Sequence, residues 1–131
     1  MEIVEYPFPA DPAATLYCVF PAELEGNALV LFHATPAKNV EAIKANGFKP
    51  DPNGESGLKS VSFAKRSDAA LTHAVAKRRE IPGAWCIFAV RYDSLDGPTL
   101  KVNVSDVHDY ALDPPPEIIG YCIMPESYKH R

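Results

Sequence analysis

The residues placed to do chemistry are a histidine that closes one apolar run and a glutamate that opens another. His33 ends Leu29-Val30-Leu31-Phe32-His33 and is followed by a small residue, a hydroxyl and a proline, Ala34-Thr35-Pro36. A histidine at a strand end is placed either to meet a ligand or to pack as a core residue. Glu117 follows Pro114-Pro115-Pro116 and starts Ile118-Ile119-Gly120-Tyr121. A carboxylate fixed at a sheet end, in a site partly closed to water, can stabilise positive charge developing on a reacting carbon; its plainer role is a surface charge. Glu126, in Met124-Pro125-Glu126-Ser127-Tyr128, is the rival carboxylate. His73 offers an aromatic face for stacking, or faces solvent from a helix. Arg78 and Arg79 carry the geometry that holds phosphate, and equally the charge that a helix C-terminus favours.

Other chemistries find less support. The four histidines, His33, His73, His108 and His130, are far apart in sequence, and no HxxxH or CxxC pattern joins them into a metal set. No Gly-x-Ser-x-Gly elbow is present. Cys18, Cys86 and Cys122 are odd in number and each lies in an apolar run, which fits free thiols in a reducing, cytoplasmic setting. A net charge of -4 argues against nucleic acid held by phosphate contacts alone, though not against a local patch. No apolar run reaches membrane-spanning length and no leader is recognised. The 131 residues, 47% of them apolar, fit a single domain over 1–131, with an irregular proline-rich arm at 1–14.

The elements that must position these groups follow from pattern and punctuation. Residues 28–36 read as a buried strand, with Thr35 as helix cap and Pro36 in the first helical turn. The helix runs to about Asn46, where Gly47 supplies the stop. Residues 49–57 have almost nothing to bury and read as a loop. Residues 60–64 form a short strand, and Ser67 and Asp68 start a second helix that the Lys77-Arg78-Arg79-Glu80 run closes. Residues 84–92 are the strongest strand. Residues 15–20, 99–104 and 117–124 are further strands, 21–27 a polar turn and 105–113 a polar connection. This order predicts an α+β fold.

With His33-Ala34-Thr35, Ser62-Phe63-Ala64 and Glu117 in place, the chain resembles the ADP-ribosyltransferase superfamily, closest to its histidine-type, poly(ADP-ribose) polymerase-like branch. That branch opens on a strand ending His-Gly-Thr or His-Gly-Ser, then a helix ending near glycine, matched by Phe32-His33-Ala34-Thr35 through Asn46-Gly47-Phe48. A donor loop follows, here 49–59. Next comes a Tyr-Phe-Ala-like strand, matched by Ser62-Phe63-Ala64. A helix then carries an aromatic residue eleven positions on, where His73 stands, and a glutamate starts a late strand, as Glu117 does. Three positions depart: Ala34 replaces the glycine, Ser62 the tyrosine, and Ala70 a serine.

The resemblance implies a split sheet with two helices flanking an NAD cleft. It implies an NAD-dependent ADP-ribosyltransferase that cleaves the nicotinamide–ribose bond and passes ADP-ribose to a macromolecular acceptor, protein or nucleic acid. Glu117 would face the ribose as it gains positive charge. His33 would hold a ribose hydroxyl, Thr35 the adenosine half, and the Ala34 backbone the nicotinamide amide. Ser62, Phe63, Ala70 and His73 would line the nicotinamide pocket, and Arg79 would meet the pyrophosphate. A free-standing enzyme of this kind could be a toxin with an antitoxin or other regulatory partner. The RNA 2′-phosphotransferases, which share the fold, match through Arg79 and Pro82. A non-catalytic module that binds NAD or ADP-ribose is the reading from outside enzymology.

Overall fold

A computed structural model describes residues 2–49 and 60–130. Among these described residues the fold is α+β: seven strands in one mixed sheet, with short helices on its faces. The strands are β1 (Val4–Tyr6), β2 (Val30–Pro36), β3 (Val61–Ala64), β4 (Trp85–Arg91), β5 (Leu100–Val102), β6 (Asp106–Asp109) and β7 (Glu117–Met124). The helices are α1 (Ala22–Glu25), α2 (Val40–Asn46) and α3 (Ser67–Lys77). The order across the sheet is β1-β7-β4-β2-β3-β6-β5, with β1 parallel to β7 and every other neighbour antiparallel.

β4 lies inside the sheet and has both faces covered, which is why its sequence is apolar without alternation. Its side chains divide by the two-residue period of a strand. Ile87 and Ala89 join Phe32, Ala34, Cys122 and Met124 against Ala70, Leu71 and Ala74 of α3. Cys86, Phe88 and Val90 join Leu31, Phe63 and Val107 against Val40 and Phe48 beside α2. β2 pairs with β4 along its whole length but meets β3 only where Phe32 stands opposite Ala64. The sheet therefore parts between β2 and β3 just beyond that point.

Several local expectations are corrected. Residues 15–20 are not a strand: a 3₁₀ turn at Pro12–Thr15 runs into Leu16 and Tyr17, both with positive φ, and the Thr15 hydroxyl donates to the backbone. The proline-rich arm instead supplies β1, because Gly120 has no Cβ and lets Tyr6 and the Val4 carbonyl lie directly against β7. Residues 21–27 hold the short α1. The polar stretch 105–113 contains β6, whose Val107 and Asp109 are buried while Asp106 and His108 point the other way. Thr35 and Pro36 end β2 and do not start a helix; α2 begins at Val40 after a 3₁₀ turn, and Thr35 accepts a hydrogen bond from Asn39 Nδ2 at 3.0 Å. Ser67 opens α3 without capping it. Its hydroxyl donates to Glu25 and accepts from the Val19 amide, tying the α1 region to α3. The loop read at 49–59 falls, apart from Lys49, outside the described residues.

Candidate functional site

The ring of His33 bridges the parting of β2 and β3. Its Nδ1 donates to the Ser62 carbonyl at 2.7 Å. A carbonyl only accepts, so Nδ1 carries the proton and the neutral ring keeps a lone pair on Nε2. Burial pushes the His33 pKa below its ordinary value; the Ser62 carbonyl opposes this and nearby His73 adds to it. The imidazole is therefore neutral at pH 7. Phe48 meets the ring edge-on with centroids 5.1 Å apart, and Phe63 lies at 5.6 Å, so its orientation is fixed by packing as well as by hydrogen bonding.

Two hollows open on either side of this ring. The smaller, about 260 Å³, is walled by His33, Ala34, Ser62, Ala70, His73 and Asp106. It exists because α3 presents alanines to the parting strands. His73 lies three residues after Ala70, one turn along the same side of the helix. Burial lowers the His73 pKa, and Lys77 lowers it further. The larger hollow, about 500 Å³, is walled by His33, Thr35, Asn39, Phe48, Ser60 and Ser62. Residues spread from 33 to 73 in sequence thus converge on one place.

Four candidate residues do not belong to this place. Phe63 is wholly buried, so it supports the His33 ring from beneath and cannot touch a ligand. Arg79 is exposed beyond the end of α3 and lines none of these hollows. Its neighbour Arg78 is taken up by the chain's end, donating to the carbonyls of Pro125, Glu126 and Tyr128. Glu126 itself is exposed and lines neither hollow.

Glu117 stands apart from His33. It is the first residue of β7, opposite Arg91 of β4, and its carboxylate is ion-paired with that guanidinium. Tyr121, the β7 residue opposite Phe88 and so in line with His33, is four residues further along. Four residues of strand span about 13 Å. Glu117 lines a hollow of about 690 Å³ with Lys44, Leu112 and Ile118. That hollow adjoins the 500 Å³ one, because Asn46, Gly47, Phe48 and Lys49 line both. The expectation that His33 and Glu117 face one pocket is thus replaced by two hollows sharing a wall.

Asp106, Ser60 and Phe48 are site residues that sequence reading passed over. The signal for two of them was the outward-facing alternation of Ser60 with Ser62 and of Asp106 with His108 on paired strands. Comparison of the chain with protein-family models, with curated proteins and with solved structures returns no match. Among the described residues no helix is long and apolar enough to cross a membrane.

Proposed function

We propose that this chain is an NAD-dependent ADP-ribosyltransferase whose cleft lies at the parting of β2 and β3. One observation carries the reading: His33, Ala34, Ser62, Ala70 and His73, singled out from separate stretches of sequence, wall one small hollow. In this reading the 260 Å³ hollow takes nicotinamide, with His73 offering a stacking face where a tyrosine is replaced by Ser62. The 500 Å³ hollow takes the remainder of the dinucleotide. His33, with Nδ1 committed to Ser62, offers Nε2 as acceptor to a ribose hydroxyl between the two. Glu117 supplies negative charge toward the ribose from the adjoining hollow, which requires it to leave Arg91. Both partners are part-exposed, so that ion pair is worth less than about 1 kcal/mol and can be exchanged. The acceptor is a macromolecule.

The pairing of Glu117 with Arg91 also favours a second reading, a non-catalytic module that holds NAD or ADP-ribose through the His33 side alone. The RNA 2′-phosphotransferase reading is weakened by the position of Arg79 outside the cleft. Calorimetric titration with NAD, ADP-ribose and nicotinamide, alongside chromatography for released nicotinamide, separates the readings. Binding with release supports the transferase and binding without release the module. No binding of any of the three overturns both.

A further inference from the structure

The paired strands β3 and β6 have a buried face and an outer face. Val61, Phe63, Val107 and Asp109 occupy the buried one. With Ser62 opposite His108 and Ala64 opposite Asp106, the outer face carries Ser60, Ser62, Asp106 and His108 together. On it Ser60 Oγ lies 3.2 Å from His108 Nδ1, and His108 Nε2 lies 3.5 Å from Asp106 Oδ2. The other oxygen of Asp106 accepts from Asn103 Nδ2 at 2.7 Å, which fixes the carboxylate. The His108 side chain is only 17% exposed.

From this geometry we infer that Ser60 is an activated nucleophile for small ester substrates, with His108 as its base and Asp106 as a positioning residue. The carboxylate beside Nε2 favours the tautomer protonated there, leaving the Nδ1 lone pair toward the serine hydroxyl. The three residues stand in the order of a serine–histidine–aspartate relay with the two ring nitrogens exchanged, the carboxylate at ion-pair distance from the ring, and relays of this kind are recognised by geometry and not by sequence order. Ser60 lines the 500 Å³ hollow, which has room for a short acyl ester. In this assignment Asn46 and Lys49, which line the same hollow, supply the oxyanion donors.

The chemistry closes without any further reagent than water. Ser60 Oγ bonds to the acyl carbon as His108 Nδ1 takes its proton. The ester C–O bond breaks, and the leaving alcohol takes that proton from the imidazolium. Water then attacks the acyl-serine, again through His108, releasing the carboxylic acid and restoring Ser60. None of this depends on NAD.

The test uses an alkyl fluorophosphonate, which serine attacks with loss of fluoride, and p-nitrophenyl butyrate as substrate. One adduct per chain, mapped to Ser60 and absent from Ser60→Ala, is expected. His108→Gln slows its formation about 10²–10⁴-fold, the usual contribution of a general base. Asp106→Asn lowers kcat for p-nitrophenyl butyrate while leaving KM and the thermal midpoint unchanged, a split that loss of structure does not produce. No adduct, an adduct elsewhere, or unchanged labelling and hydrolysis in His108→Gln and Asp106→Asn overturns the inference.

Discussion

Replacing His33 by alanine removes a side chain that spans the gap between β2 and β3. The lost hydrogen bond to Ser62 is worth about 1 kcal/mol. The edge contacts with Phe48 and Phe63 are worth about 0.5–1.5 kcal/mol each. His33→Ala is therefore expected to cost about 2–4 kcal/mol. At roughly 4 °C per kcal/mol for a chain of this size, the thermal midpoint falls about 8–16 °C. His33→Asn places an amide donor near the position of Nδ1 and recovers about 1 kcal/mol of the loss. The pH dependence adds an independent check. The folded ring binds a proton less readily than the unfolded one. His33 thus contributes fully above the unfolded value of about 6.5, and its contribution is lost as pH falls from there through the folded pKa. Over that window stability falls with falling pH by an amount attributable to His33, and this dependence is absent in His33→Asn. Thermal melts of the three proteins, with urea melts at several pH values for the acid slope, provide the assay. A midpoint for His33→Ala within a degree or two of the parent, or an identical acid slope in His33→Asn, refutes the bridging role.

Gly120→Ala places a Cβ 2.5 Å from Tyr6 Cε2 and 3.0 Å from the Val4 carbonyl oxygen, so β1 must move off β7. A loss of about 1–3 kcal/mol and of hydrogen-exchange protection at Val4–Tyr6 is expected, with β4 protection retained. Burial pushes the Cys122 thiol up to about 12 and the Cys86 thiol well above its ordinary value. At pH 8 iodoacetamide should therefore modify the less buried Cys18 first, and all three only on unfolding, as read by intact mass. Asp109 is buried and accepts from the Tyr92 hydroxyl and the Ala111 and Leu112 amides. Asp109→Asn keeps an oxygen for the two amides but sets an NH2 against the Tyr92 hydroxyl, which must turn from donor to acceptor, and removes the charge that strengthens all three bonds; it should cost about 1–3 kcal/mol in chemical denaturation.

The sheet's centre was legible because burial on both faces writes itself as an unbroken apolar run, as in residues 84–90. The edges were not. β6 carries alternate polar residues on its outer face, so Asp106-Val107-His108-Asp109 reads as a connection until its pairing with β3 is seen. β1 depends on a glycine more than a hundred residues away, a contact no local pattern carries. The residues around His33 were picked out as an ordered set of motifs, although they lie within elements and not at their ends: His33 is in the middle of β2, Ser62 inside β3, and Ala70 and His73 inside α3. The placement of Glu117 was not, because strand register decides which residue stands in line with His33, and that residue is Tyr121. The partner of Glu117, Arg91, likewise emerges only from register.

The most direct test of the transferase reading is single-turnover nicotinamide release measured beside NAD affinity in the parent, Glu117→Gln and Glu126→Gln. Glutamine keeps the shape of Glu117 and removes its full charge, so release should fall about 10²–10³-fold while NAD affinity changes little. Glu126→Gln should release nicotinamide at the parent rate. Parent-like release from Glu117→Gln, or a parent that binds NAD and releases no nicotinamide with any acceptor offered, contradicts the account.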